Sequence, residues 1–476
     1  LSPGEPPRRL PGDEILPRIG QTHAVSFGML LHCARVDWDE TAIRRWLEPL
    51  ATRRGEIAEV FRERLAELAL AWRDGAIRDV RVRAEEGVGA RRRFDGAEHF
   101  VFVPGGAEAD AREAVRVLRA AAAAPPLPIR PSRPAPADAA DAFTDADRWA
   151  RRLTALLARH APRHAFTFRI RHAERRVVAD GGRSTLSARR LLSLEGRFVA
   201  ASKAGDEERD FAFHAPASDA AADELRTALA RAAEPRDRPV PPPSGETDVV
   251  LAGGSAAVFF HEVLGHPLEA DAGPSPLKNL PNARVAVTAL DVADDPRRLD
   301  LFGGYEYDDE GTAPRGVKLV ASGLLGGPLS DRVHGAAAGS SGHGRRAAAS
   351  EPPSPRGSNI VVAEGGADHD EMLRRLGNGL WIEELSGGSV EVASGTFRLR
   401  FPRARRVRRG RFADEVGAGM LAGEILAALG GIEPVFGREA LPCRAFGWCA
   451  RGGQVVPVGG AAPDVLVRRL SVRAGA

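Results

Sequence analysis

Three residues near the middle of the chain, His261, Glu262 and His266, have the types and spacing to do chemistry. They lie in Ser255-Ala-Ala-Val-Phe-Phe-His-Glu-Val-Leu-Gly-His-Pro-Leu-Glu-Ala-Asp271, which follows Asp248-Val-Val-Leu-Ala252 and a Gly253-Gly254 turn. The segment is apolar almost all round, as a buried helix is. Burying two imidazoles and a carboxylate is costly unless each finds a partner, and a bound cation supplies one. The competing reading is a pair of buried histidines bonded to backbone carbonyls. In His-Glu-x-x-His the histidines stand four apart on one helix face. Here they stand five apart, about 140° around an ideal helix. Gly265 loosens the last turn, and Pro267 biases His266 away from the helical region. The helix, N-capped by Ser255, is therefore predicted to end within a turn of His266, with His266 turned back toward His261.

A hydrolytic zinc site uses three protein ligands and leaves one position open. Two histidines leave one ligand missing, and Cys449 is the candidate. It sits in Phe446-Gly-Trp-Cys-Ala-Arg-Gly-Gly-Gln-Val-Val-Pro-Val458, a glycine-rich turn feeding a strand. Its thiolate would be a soft ligand; otherwise it is a small buried hydrophobe. Cys443 is a second thiol nearby.

The elements that must position these groups follow from length and pattern. At 476 residues, 43% of them hydrophobic, the chain exceeds one ordinary core, and two domains are expected. Basic and acidic residues nearly balance, 67 against 64, and almost all the basic ones are arginine. The densest basic runs, Arg91–Arg93 and Arg403–Arg411, read as solvated strand or loop edges rather than a nucleic-acid footprint. Three cysteines without a C-x-x-C pair point to a reducing, cytoplasmic setting. No apolar signal core follows the N-terminus and no run reaches the length of a membrane span. Gly339-Ser-Ser-Gly342 lacks the Gly-x-Ser-x-Gly elbow of a serine hydrolase.

The fold class expected is α+β in two domains. Residues 1–20 read as a disordered lead-in. Residues 21–235 read as an N-terminal α/β domain with an antiparallel meander, interrupted by a Pro/Ala-rich loop over 125–140. Its helical periodicity runs from Thr41 to Ala71 through Ile57, Val60, Phe61, Leu65 and Leu68. A strand–turn–strand signal follows around Asp74-Gly75, with later helices over Asp110–Ala123, Asp145–His160 and Ala220–Ala233. Residues 236–246 form a proline-rich linker. Residues 247–476 read as a β-rich barrel or sandwich carrying the metal-site helix, with strands including Val285–Asp291 and Val317–Ala321 and helices over Asp368–Leu376 and Phe412–Leu429.

The stretch His261–Asp271 resembles the His-Glu-x-x-x-His signature of the TldD/PmbA family of metalloproteases. Further stretches match in order: Tyr307-Asp-Asp-Glu-Gly-Thr312, Gly342-His-Gly-Arg345 with Pro353-Ser-Pro-Arg-Gly-Ser-Asn359, Gly387–Gly395, and Cys449–Gly459. Trp72–Gly89 is a weaker match, residues 1–60 match poorly, and Gly430–Phe446 departs from the pattern. The intact histidines place the likeness with the TldD-like, catalytic branch. The resemblance implies a zinc peptidase acting on unfolded or extended peptides, such as leader peptides or labile proteins. It implies that His261, His266 and Cys449 ligate Zn2+, and that Glu262 activates a zinc-bound water as general base. Glu269 and Asp271 become candidates to orient the histidines, and His343 and Arg345 to bind substrate. It also implies a PmbA/TldE-like partner subunit or a homodimer. The alternative function is a non-catalytic peptide-binding or gyrase-modulating protein that keeps the metal structurally.

Overall fold

The computed structural model describes residues 38–51, 56–94, 96–121, 135–136, 146–161, 163–202, 205–335 and 338–475. The lead-in over 1–20, Cys33 and most of the 125–140 loop lie outside them.

The first half is one antiparallel sheet with helices packed on it. Its long strands are β1 (Ile57–Arg73), β2 (Ala76–Phe94), β3 (Ala97–Pro104), β4 (His164–Ala179), β5 (Ser184–Ser202) and β6 (Gly205–Pro216), in the order β3-β2-β1-β4-β5-β6. The helices are α1 (Glu40–Leu47), α2 (Glu108–Ala121), α3 (Ala146–His160) and α4 (Asp219–Ala232). The helix expected over Thr41–Ala71 is thus corrected: only its start is helical, and from Ile57 onward it is strand. Ile57, Val60, Phe61, Leu65 and Leu68 mimic a helical stripe because both faces of β1 are covered near its start. Ala58 and Val60 pack with α1 and α2, whereas Phe61 packs against Ala349 of the second half. Pairing along both edges of β1, with β2 and β4, overrides the local period.

Leu68, Leu70 and Trp72 share the helix-covered face and bury against Trp149, Leu153, Leu225 and Leu229. On the opposite face of β1, Glu59 and Glu63 meet arginines of β2, β4 and the second half. Glu59 and Arg91, both fully buried, lie 3.2 Å apart. Glu59 also pairs with Arg346 at 2.9 Å and Arg332 at 3.2 Å, and Arg91 reaches Glu310. Arg175 joins Glu63 at 2.9 Å to Asp309 at 2.7 Å. Burial pushes the Glu59 carboxyl up, but Arg91, Arg346 and Arg332 overrule it and hold it below the usual range. The acidic stretch Tyr307–Thr312 is therefore the socket on which the N-terminal arginines seat.

The second half is built on two open sheets with no closed barrel. Besides a two-residue pair, Gly344–Arg345 with Ser354–Pro355, its strands are β7 (Gly245–Leu251), β8 (Val292–Asp294), β9 (Val317–Ala321), β10 (Leu324–Leu325), β11 (Asn359–Val362), β12 (Gly379–Ile382), β13 (Gly387–Glu391), β14 (Thr396–Phe401), β15 (Ala404–Arg408), β16 (Arg411–Val416), β17 (Gly419–Glu424), β18 (Ile432–Phe436), β19 (Leu441–Pro442), β20 (Trp448–Arg451), β21 (Gln454–Pro457), β22 (Gly459–Ala462) and β23 (Val465–Ala474). The nine-stranded sheet runs β13-β14-β17-β23-β7-β12-β15-β16, with β18 on β23; the six-stranded one runs β10-β9-β8-β11-β22-β19. Helix α5 (Ala256–Phe260) is wholly buried in one core with apolar residues of both sheets, such as Val249, Leu399, Val292 and Ile360. Two further α-helices, α6 (His369–Leu376) and α7 (Ile425–Gly430), belong to this half.

Two further expectations are corrected. Val285–Asp291 is irregular apart from a turn at Thr288–Ala289, the strand beginning at Val292. The helix expected over Phe412–Leu429 is mostly two strands that do not pair with each other: β16 forms a hairpin with β15, and β17 lies between β14 and β23; only α7 is helical.

Candidate metal centre

The chain reaches the site through β7 and the Gly253-Gly254 turn. Both glycines have positive φ, and a Cβ at Gly254 would stand 2.4 Å from the Leu441 carbonyl oxygen. Ser255 is already helical and makes no cap; its hydroxyl donates instead to the Ile382 carbonyl at 3.2 Å.

The five-residue spacing is accommodated by a wider turn. His261–Gly265 forms a single π turn, closed by the His266 N–H donating to the His261 carbonyl, five residues back. His266 itself stays helical, at φ −58° and ψ −44°, contrary to the bias expected from Pro267. Pro267 opens a short 3-10 turn, His266–Leu268, where its missing N–H costs nothing. The chain turns extended at Glu269, so the helical run ends within a turn of His266. The two imidazoles consequently face each other, with ring centroids 4.6 Å apart at 71°.

Cys449, on β20, meets them. Its sulfur lies 3.3 Å from His266 Nε2, and the ligand atoms of His261, His266 and Cys449 all fall within 4.8 Å of one another. His261 Nε2 is buried with no hydrogen-bond partner. An orphaned imidazole nitrogen beside a thiol and a second imidazole is the donor set of a soft, borderline cation, so the residues present fit zinc. The nearby imidazoles bring the Cys449 thiol well below its ordinary range despite burial. Cys443 is not in this cluster, and burial pushes its thiol up to about 12.

Glu269, fully buried, accepts from His266 Nδ1 at 3.2 Å and from the Gly357 N–H at 3.1 Å, and pairs with Arg451 at 3.0 Å. This fixes which nitrogen of His266 points at the sulfur. Asp271 does not touch a histidine; it accepts from Arg451 at 2.8 Å. Glu262 has no hydrogen-bond or ion-pair partner among the described residues and lines a cleft of about 720 Å³ together with His261, His266 and Cys449. Burial pushes its carboxyl up, with the imidazoles opposing. The edge strand β13 also lines this cleft, as do Glu195, Asp210 and His214 of the N-terminal sheet.

His343 and Arg345 do not reach the cleft. Both are buried: His343 bonds Ser341 at 2.9 Å and Asp294 at 3.2 Å, and Arg345 donates to the carbonyls of Gly357 and Pro457. Their hydrogen-bond partners are inside the fold.

Several contributors gave little sequence signal. The Cys449 loop is clamped by rings, with Phe446 on His261 at 4.9 Å, Trp448 on Phe302 at 5.2 Å, and Phe302 on His214 at 5.2 Å. A Cβ at Gly447 would stand 2.3 Å from the His214 ring, and the His214 N–H donates to the Arg444 carbonyl at 2.7 Å. Arg356 was visible only as the basic residue of Pro353–Asn359.

Residues 244–474 match the PmbA/TldA metallopeptidase C-terminal domain. These residues carry the C-terminal domain of the TldD/PmbA family. A protein from Methanothermobacter thermautotrophicus named "Metalloprotease" is 33% identical over 236 residues, 49% of this chain and 51% of that protein. One from Saccharolobus solfataricus, named "Zinc metalloprotease TldD homolog", is 28% identical over 238 residues, 48% of this chain and 52% of that protein. The matches thus span about half the length of these curated relatives. The crystal structure of TldE from Thermococcus kodakarensis shares the fold at a TM-score of 0.71 and 15% identity, covering 91% of this chain and 99% of that one. Among the described residues, no helix is long and apolar enough to cross a membrane.

Proposed function

We propose that the chain is a zinc-dependent peptidase cleaving unfolded or extended peptides, with His261, His266 and Cys449 holding the metal and Glu262 as general base. The observation that carries this reading is the orphaned His261 Nε2, gathered with His266 and the Cys449 sulfur beside an unpartnered Glu262 in one cleft. The name of the Saccharolobus relative, a zinc metalloprotease homolog, supports zinc. When bound, zinc supplies a Lewis acid that polarises a carbonyl and acidifies water. Glu262 takes the proton of the attacking water and passes it to the leaving amine. Glu269 holds the His266 ring so that Nε2 faces the site. A structural metal site needs no such free carboxylate, which disfavours a purely non-catalytic, peptide-binding or gyrase-modulating role.

The edge strand β13 pairs on one side only, with β14, and lines the cleft. Its free backbone groups can take an extended peptide as an added strand, giving affinity with little side-chain selectivity. That suits leader peptides or labile, unfolded proteins. The division into units at 21–235 and 247–476, and assembly with a PmbA/TldE-like subunit or a second copy, belong to the same proposal. The separate apolar clusters of the two halves support the division.

The test is metal analysis of purified protein, then cleavage of an unfolded peptide by wild type and Glu262→Gln, with and without a co-expressed partner subunit. Stoichiometric zinc with activity lost in the mutant is expected. Undiminished cleavage by Glu262→Gln removes the general-base role, and protein without bound metal or metal-dependent cleavage removes the whole reading.

A further inference from the structure

Arg356 lies against the sulfur and backbone of Cys449 and beside Glu269. It is about 1% exposed, in the turn that leads to β11. One terminal nitrogen donates to the Cys449 carbonyl at 2.9 Å and to the Cys449 sulfur at 3.2 Å. The other lies 3.4 Å from the carbonyls of Arg451 and Gln454, so the guanidinium closes the β20–β21 hairpin that presents the cysteine. Its Nε stands 3.7 Å from Glu269 Oε1 and makes no hydrogen bond.

The next residue, Gly357, donates its N–H to that same Glu269 oxygen. Gly357 also packs on His261, where a Cβ would lie 3.4 Å from the ring. Two consecutive residues therefore touch the outer side of all three proposed ligands: His261 directly, His266 through Glu269, and Cys449 through its sulfur and carbonyl.

Charge makes the arrangement informative. A fully buried guanidinium is costly unless anions offset it. Among the described residues the only carboxylate paired with Arg356 is Glu269, at a distance too long for a hydrogen bond. Its hydrogen bonds go instead to the Cys449 sulfur and to backbone carbonyls, with the Glu351 carboxyl near enough to feel its charge. A planar fork with several fixed donors can bridge a sulfur and carbonyls at once, which a lysine ammonium does less well. Hydrogen bonds to a ligating thiolate withdraw electron density from it and tune the metal.

We propose that Arg356 is a positioning residue of the metal centre, whose guanidinium fixes the Cys449 sulfur against the Glu269 carboxylate and so sets metal affinity and the donor strength of the sulfur. This rests on the proposed ligation by His261, His266 and Cys449.

The test uses the full-length chain, stripped of metal and titrated with Zn2+ against a chromophoric chelator, then with Co2+ while the sulfur-to-cobalt charge-transfer band is recorded. Wild type, Cys449→Ser, Arg356→Met and Arg356→Lys are compared. Wild type is expected to bind one metal and show the band, and Cys449→Ser to lack it. Arg356→Met is expected to bind about 10–100-fold more weakly, with the band moved to lower energy as the sulfur becomes a stronger donor. Arg356→Lys is expected to fall between, because an ammonium can still donate to sulfur. Wild-type affinity and an unmoved band in folded Arg356→Met overturn the inference while leaving the metal site standing. Should Arg356→Met not fold, the same unchanged values in Arg356→Lys overturn it. A wild-type protein that binds neither metal, or a band that survives in Cys449→Ser, overturns the ligand assignment first and this inference with it.

Discussion

His266 Nε2 and the Cys449 sulfur stand 3.3 Å apart although 183 residues separate them in the chain. The contact joins a π turn buried between two sheets to a hairpin clamped from the N-terminal sheet. Replacing Cys449 with Ala is expected to remove bound zinc and lower peptide cleavage by about three orders of magnitude or more, as loss of an essential group does. Cys443→Ala should retain both, since its thiol is outside the cluster. Metal analysis of the two variants decides between the thiols.

Gly388 lies directly beneath the proposed base. A Cβ there would stand 2.8 Å from Glu262 Cγ and 2.6 Å from Leu399. Gly388→Ala is expected to displace Glu262 and lower kcat by about 10–100-fold, the scale of an ångström misplacement. Zinc affinity should remain within about twofold of wild type, because none of the three ligands moves. Paired affinity and rate measurements check this, and a loss confined to affinity would contradict it.

Glu269→Gln keeps the shape but removes the charge behind His266. It is expected to weaken zinc binding by about 10–100-fold. Chelator competition reads the effect, and the neighbouring Asp271→Asn, which touches no histidine, serves as the comparison with little change.

The junction of the two halves is predicted to be sensitive to single charges. Glu59→Gln leaves Arg91, Arg346 and Arg332 without their shared carboxylate. Breaking a buried ion pair from one side costs about 3–5 kcal/mol. A fall of that size in denaturant-derived stability is expected, and a loss below about 1 kcal/mol would show that water or rearrangement compensates.

Glu384 lines the cleft, and burial lifts its carboxyl to about 7. In the unfolded chain it returns to about 4.3. Between these values the native state holds a proton that the unfolded state has released, so this group makes stability fall as pH rises. Below the lower value both states are protonated and it contributes no pH dependence. Glu384→Gln should therefore gain thermal stability over wild type at pH 8 and match it near pH 4. Thermal melts across that range test the sign.

Much of the metal centre was legible because its chemistry is local. His261, Glu262 and His266 stand out in an apolar run, and a missing ligand directs attention to Cys449. The π turn was not legible. Gly265 and Pro267 suggest a broken helix, whereas the backbone keeps helical angles and only widens, since Pro267 occupies a first-turn position where it needs no donor.

Periodicity failed at Ile57–Leu68 because β1 is covered on both faces near its start, and at Phe412–Leu429 because two separate strands and the short α7 follow one another closely enough to read as one helix. His343 and Arg345 looked available in a glycine-rich loop, but their burial depends on Asp294, Gly357 and Pro457, distant in sequence. The same distance hid Arg356, His214 and Phe446. No local pattern records which ring a loop will meet across 230 residues of chain.

The order of the parts along the chain has a consequence for a cell that makes this protein. The helix histidines leave the ribosome first, and the hairpin cysteine follows 183 residues after His266, roughly 10–40 s later at ordinary elongation rates. On the proposed function, a peptidase for unfolded chains would be most dangerous to nascent polypeptides, its own included. Because its last ligand emerges long after the first two and is then held by both halves, the destructive capacity switches on only after the hairpin has folded onto the helix.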